Sequence, residues 1–288
     1  MFGNPEEFQR FTIEVRRNIL VSIYHAGSGH PGGSLSCVDL MSYLWGKELC
    51  FDKNNPEWEG RDRFILSKGH ASPALYAAAA QIGIIPRAQL ITLRKLGSTL
   101  QGHPHVKALP WVETSTGSLG QGFSVAIGMA MGVRFQQNDA RVYIMLGDGE
   151  LQEGEVWEGA MCASHHKLNN LCAIIDYNKM QSDDLNENIM GVEPLRAKWE
   201  AFNWNVVEID GHDFLEIEGA FNVARECHSQ PTVIVAHTIK GKGISYMEGS
   251  PLWHGSVKLS NDDLVKGLQD LGVSKEEIRR YIDGTAWH

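Results

Sequence analysis

The 288-residue sequence contains no run approaching the ~18 uninterrupted apolar residues of a membrane-spanning helix, so a helical span is excluded. Excess positive charge is also missing. The 26 basic and 35 acidic residues leave a net charge of −9, which argues against a nucleic-acid partner, and any phosphate ligand must be held by local geometry. Cysteine is sparse and unpatterned: Cys37, Cys50, Cys162, Cys172 and Cys227 form no C-x-x-C, so neither a zinc site nor a redox dithiol is indicated. A reduced, cytoplasmic chain with thiols used mostly as core filler is the expectation. The first residues, Met1-Phe2-Gly3-Asn4-Pro5, lack the basic flank and apolar run of a secretory signal. With 43% hydrophobic and 21% charged residues, disorder and fibrous structure are excluded.

What is present is 30 glycines and 12 histidines, several gathered in short polar clusters between apolar runs. An amphipathic segment, 5–25, ends at Gly27-Ser28-Gly29-His30-Pro31-Gly32-Gly33 and predicts a helix with Pro5 in its first turn. Helices are expected over 36–45, 74–81 and from Pro86, and one of small residues over 126–132. Apolar runs at 63–67, 142–146, 171–175 and 232–236, with 205–209 a further candidate, read as strands. Their alternation with helices predicts an α/β fold, a mostly parallel sheet with helices on both faces. No repeat or linker interrupts the sequence, so residues 1–288 are expected to form one domain, with a helical extension at about 256–288.

Asp148, in Gly147-Asp148-Gly149, follows one predicted strand, and Asn178 follows the next, with a helical stretch at about 155–166 between them. In a βαβ unit both emerge at the carboxyl ends of neighbouring parallel strands, where such sheets bind ligands. One carboxylate, one amide oxygen and a backbone carbonyl are hard ligands suited to Mg²⁺ together with diphosphate oxygens. Either residue alone is equally a turn or a strand-end cap. Two apparent phosphate motifs lack their context. Gly27 to Gly32 matches G-x-G-x-x-G but follows a helix, and Lys240-Gly241-Lys242-Gly243 reads as a basic turn after a strand rather than a Walker loop.

Taken with Ser67-Lys68-Gly69-His70, Gly102-His103-Pro104, the 117–122 segment Gly-Ser-Leu-Gly-Gln-Gly, the 147–154 segment, Asp176-Tyr177-Asn178-Lys179 and Trp253-His254-Gly255, the sequence resembles the N-terminal, diphosphate-binding half of transketolase, a thiamine diphosphate enzyme. The motifs run in family order from residue 29 to 255. The resemblance implies a thiamine diphosphate-binding fold in which Asp148, Asn178 and the Met180 carbonyl ligate Mg²⁺, with Ca²⁺ or Mn²⁺ as substitutes. It implies that His70, Gly149 and His254 lie near the diphosphate and that Gly117 and Leu119 touch the aminopyrimidine. It makes His30, His70, His103 and His254 the catalytic lining of the sugar channel. Imidazoles suit that task because groups titrating near neutrality move protons, and neutral ones bind hydroxyls without burying charge. Glu153 and Glu158 match acidic positions at an interface between active sites, although a glutamate at a helix start is also explained by the helix dipole. His165 and His166, in a predicted helix, are read as ordinary surface residues.

The sequence contains nothing resembling the family's second domain, which supplies the glutamate that activates the cofactor and the arginines that bind sugar phosphate. The resemblance therefore predicts one subunit of a split enzyme, completed by a C-terminal transketolase subunit with the pyrimidine-binding domain as an α2β2 heterotetramer, acting on sugar phosphates. Ser182-Asp183-Asp184 departs from the family's Ile-Asp-Gly, and His105 stands where an acid is common. Four alternatives remain at this point: a subunit for an unusual sugar, a 1-deoxy-xylulose-phosphate synthase, the alpha subunit of a 2-oxo acid dehydrogenase, and a non-catalytic regulatory subunit.

Overall fold

The computed structural model describes residues 2–182 and 184–287. In chain order the elements are α1 (Pro5–Ala26), α2 (Pro31–Ser36), α3 (Val38–Tyr43), β1 (Arg63–Leu66), α4 (Ser72–Gln81), α5 (Gln121–Phe135), β2 (Val142–Gly147), α6 (Gly154–His165), β3 (Leu171–Tyr177), β4 (Met180–Gln181), β5 (Asp184–Leu185), α7 (Asn186–Ile189), α8 (Leu195–Ala201), β6 (Asn205–Asp210), α9 (Phe214–Glu226), β7 (Thr232–His237), α10 (Asn261–Asp270) and α11 (Lys275–Ile282). They fall into two compact units. One comprises residues 1–47, 70–103 and 239–288, the other 48–69 and 104–238.

The second unit carries the five-stranded sheet, in the order β1-β2-β3-β7-β6, with every pair parallel. All five sequence-expected strands form. Strands β2, β3 and β7 are almost wholly buried because helices cover both faces, and this explains their unbroken apolar sequences. Each fully buried Val or Ile there stabilises the fold by about 1.5–3 kcal/mol. Helix α5 turns Phe123, Ala126, Ile127, Ala130 and Val133 inward at helical spacing. Its small residues split by face: Ala126 and Ala130 are buried, while a Cβ at Gly128 or Gly132 would meet nothing. Close approach to this helix comes from α6, where a Cβ at Gly159 would lie 2.8 Å from Phe123.

The first unit is helical. Asn4 caps α1 by accepting from the Glu7 N–H, Pro5 occupies the first turn, and Gly27 ends the helix in the left-handed conformation at φ 71°. Val15, Ile19, Leu20 and Ile23 are wholly buried. Arg16 makes a bidentate pair with Asp39 of α3, at 2.6 and 3.1 Å, and donates to the Lys242 carbonyl. The C-terminal helices, whose docking the sequence did not reveal, pack on α1: Arg17 donates to the Leu271 carbonyl, and Gly267 leaves room for Leu20. Two expectations change here. The 36–45 helix is broken at Cys37, because the helical path already begins at Pro31 inside the glycine-rich motif, and it ends in a π-helical turn at 44–48. The segment after Pro86 is a 3₁₀ turn, 87–92. Of the cysteines, only Cys37 and Cys172 are buried; Cys50 is exposed. Among the described residues no helix is long and apolar enough to cross a membrane.

The strand ends of the sheet are tied by one charged network. Lys68, just beyond β1, is 1% exposed and its Nζ lies 2.5 Å from Asp176 Oδ2 in β3, itself fully buried. Thr238, just beyond β7, donates to the other carboxylate oxygen at 2.5 Å, and the Asn178 amide donates to Oδ2 at 3.2 Å. Removing one partner of such a pair strands a buried charge. Lys68→Met is therefore expected to destabilise the chain by about 3–5 kcal/mol. Lys68→Met combined with Asp176→Asn should recover much of the loss, as read from urea denaturation midpoints; a single variant as stable as wild type would contradict an ionised pair.

Candidate active site

Two groups of side chains carry the candidate chemistry, one in each unit. The first lies at the carboxyl ends of β2 and β3, which are adjacent and in register with Gly147 opposite Asp176. Asp148 therefore leaves the sheet beside the residues that lead to Asn178, as the sequence predicted. Asp148 is 2% exposed. Its Oδ1 accepts from the Gly149 N–H at 2.8 Å, and its Oδ2 accepts from the Lys179 N–H at 2.6 Å. Asn178 Oδ1 accepts from the Met180 N–H at 3.2 Å, while its Nδ2 is held by Asp176. The amide is thus fixed in one orientation, with its oxygen on the Met180 side. Lys179 takes the left-handed conformation, φ 65°, and the chain folds back as the β4–β5 hairpin. A carboxylate, an amide oxygen and the turn at Met180 are brought together, but no cluster of three or more His, Cys, Asp or Glu side chains suited to a metal occurs among the described residues.

Glu150 organises the glycine loops of this unit. It is 2% exposed, and Oε1 accepts from Ser67 Oγ and from the Gly120 N–H, while Oε2 accepts from the Gly147 N–H at 3.0 Å. Burial pushes its carboxyl above the usual range, against the opposing pull of those donors. Gly117 and Leu119 sit on the loop so held, Gly117 at φ 146°. A Cβ on Gly69 would collide with the Gly117 backbone N at 2.9 Å, so the motif after β1 and the start of the 117–122 loop approach backbone to backbone. Gln181 lies over Gly149, where a Cβ would be 2.9 Å away, and its Nε2 is buried without an acceptor. Glu153 caps α6 without a side-chain bond, and both it and Glu158 are exposed. His165 and His166 are exposed at the end of α6, as expected for surface residues.

The second group is formed by histidines of the helical unit. The rings of His30, His70 and His254 form a triangle, with centroids 5.3, 5.6 and 6.3 Å apart. His103 lies close enough that, when protonated, it opposes protonation of His30. Glycines make room for the cluster: a Cβ on Gly32 would lie 2.8 Å from the Trp253 carbonyl, and one on Gly33 3.4 Å from His70 Nε2. The expectation of imidazoles poised near neutrality fails at two positions. Burial first, then Arg94, His103 and Lys240, push His30 down from 6.5 to about 4. Burial and Arg94 lower His103 as well. His30 is therefore neutral at pH 7.

Sequence reasoning missed the cations that serve these rings. Lys240, read as part of a basic turn, is 1% exposed with Nζ 2.6 Å from His254 Nδ1. Arg94 reaches Ser28 and His30. The dismissal of Gly27 to Gly32 as a dinucleotide loop agrees with the structure, since the segment leaves the C-terminus of α1. Of the two departures, His105 has a buried Nδ1 without a hydrogen-bond partner. Ser182 is left-handed at φ 43°, Asp184 accepts from the Leu185 N–H, and Asp183 lies outside the described residues.

Comparison with known proteins agrees with this geometry. Residues 9–281 match the family described as transketolase, thiamine diphosphate binding domain. The chain is 43% identical over 248 residues to SqwG of Clostridium sp. (strain MSTE9), named as a subunit of a 6-deoxy-6-sulfo-D-fructose transketolase, spanning 86% of this chain and 90% of that protein. It is 40% identical to one of the subunits of the apulose-4-phosphate transketolase of Phocaeicola vulgatus, spanning 93% and 95%. The crystal structure of transketolase from Campylobacter jejuni superposes with a TM-score of 0.87 at 30% identity, covering 99% of this chain and 47% of that one. The chain thus spans less than half of the solved transketolases it resembles, but nearly all of the two relatives named as subunits. On its sequence, its fold and its strand-end loops, the chain belongs to the transketolase thiamine diphosphate-binding domain family.

Proposed function

We propose that this chain is the N-terminal subunit of a split transketolase, moving a two-carbon ketol unit from a ketose phosphate to an aldose phosphate together with a separate C-terminal subunit that carries the pyrimidine-binding domain. The observation that carries the reading is the turn at 178–180, whose Lys179 N–H grips Asp148 Oδ2 at 2.6 Å and sets a carboxylate beside an oriented amide. That donor set is all hard oxygen and suits Mg²⁺. The unpaired Gln181 Nε2 beside Gly149 suits an anion.

Asp148, Asn178 and the Met180 carbonyl would hold the metal. Gly149, His70, His254 and Asn178 would serve the diphosphate, Gly117 and Leu119 the aminopyrimidine, and Glu153 the interface with the other subunit. Bound thiamine diphosphate supplies the carbanion chemistry. The protein's own part is orientation and hydrogen bonding: His30, His70, His103 and His254 meet the sugar hydroxyls, the first as a neutral group. The names of the two subunit relatives support a separate partner chain and an unusual sugar with a terminal anion; the assembly proposed with that partner is an α2β2 heterotetramer. Residues 1–288 act as one diphosphate-binding domain in this reading, placed in the cytoplasm on its scattered, unpatterned cysteines.

Two variants test it in the chain reconstituted with its copurifying partner. Asp148→Ala should weaken Mg²⁺-dependent thiamine diphosphate binding at least tenfold, about 1.4 kcal/mol, by titration calorimetry, and abolish turnover; unchanged binding rejects the metal assignment. His103→Ala should lower kcat/KM for the sugar about 10–100-fold, as loss of one hydrogen-bonding group does, and spare cofactor affinity. A defect confined to cofactor binding would move His103 out of the sugar channel.

A further inference from the structure

Arg94 belongs to no sequence motif, yet its guanidinium reaches two residues of the glycine-rich 27–33 segment. Its Nη1 donates to Ser28 Oγ at 2.9 Å and its Nη2 lies 3.4 Å from His30 Nδ1. A guanidinium has only protons to give, so Nδ1 must be the acceptor. In a neutral imidazole the proton then sits on Nε2.

Three further features aim this side chain. Arg94 is left-handed at φ 59°, a conformation that residues with a Cβ rarely adopt and that persists only where the surroundings impose it. Its N–H is tied to the Leu100 carbonyl at 2.8 Å. The Gly102 of the Gly-His-Pro motif is bare where a Cβ would stand 2.8 Å from Arg94 Nε, so the guanidinium fills the space a side chain would take. The imidazole is anchored from its own backbone, because the His30 carbonyl accepts from the Ser34 N–H and Oγ.

We propose that Arg94 is a positioning residue that fixes His30 as the neutral, Nε2-protonated tautomer, so that His30 meets a sugar oxygen as a hydrogen-bond donor and not as a proton carrier. The consequence for turnover rests on the reading of His30 as a sugar-channel residue; the state of the ring does not. Among the described groups facing His30, Arg94, Lys240 and a protonated His103 disfavour the charged form, and the rings of His70 and His254 lie beside it. Burial acts in the same direction.

The test is ring-nitrogen NMR of the full chain labelled at histidine, with His30 assigned by its loss in His30→Gln. Wild type should show an unprotonated Nδ1 and a protonated Nε2, unchanged across neutral pH. Arg94→Met should give a tautomer mixture and raise the protonation midpoint from about 4 by about one pH unit. Arg94→Gln, which keeps a donor without the charge, should raise the midpoint but keep the tautomer; it carries the test if the Met variant does not fold. A His30 ring with the same midpoint as wild type in Arg94→Gln overturns the inference. Should the ring respond as expected while His30→Gln leaves sugar turnover intact, the channel assignment of His30 fails and the role of Arg94 stands.

Discussion

A buried carboxylate among apolar strands has to be neutralised, and Asp176 is where the second unit meets that demand. Lys68, Thr238 and Asn178 approach it from the ends of β1, β7 and β3, so one charge fixes the exits of three strands. The pairing also decides what Asp176 does not do. With its oxygens committed to an ammonium, a hydroxyl and an amide, it orients Asn178 rather than competing with it for a cation. The orientation of Asn178 therefore rests on a neighbouring buried carboxylate. Such networks pin geometry more than they add stability, because the desolvation of both ions opposes their attraction.

The histidine group follows the opposite logic. The charges that act on His30 among the described residues are those of cations and of another imidazole, not of carboxylates. Arg94 and Lys240 each take a ring nitrogen, at His30 and His254. An imidazole next to a cation gives up its ability to charge and keeps its ability to hydrogen-bond. For a substrate rich in hydroxyls, a wall of neutral donors provides orientation without a desolvated charge.

Most of the sheet was legible because parallel strands buried on both faces read as continuous apolar runs, and Asp148 and Asn178 were legible because each directly follows one. The glycine-rich histidine motifs were visible as composition. What sequence could not show was pairing at a distance. Lys68 and Asp176 are 108 positions apart and look like a motif residue and an interruption in a strand. Glu150 looked like one more acid after a turn, although it closes three loops. Arg94 depends on a left-handed backbone that arginine does not advertise, and Lys240 reads as basic surface until its burial is known. The break at Cys37 was hidden because 31–45 is apolar enough to be one helix or two.

The order of the strands has a bearing on how the chain is made. Strand β6 joins the sheet only through β7, and β1 only through β2, which lies well downstream in the sequence. As the polypeptide emerges from the ribosome, β1 has no partner until residues 142–147 follow it, and β6 waits in the same way for 232–237. Contacts between such distant segments are paid for in loop entropy before they return any energy, so folding is slow and unpaired strand edges stay open to solvent meanwhile. Both strands, apolar β1 above all, spend part of synthesis as open edges, an invitation to chaperones or to neighbouring chains until their late partners arrive.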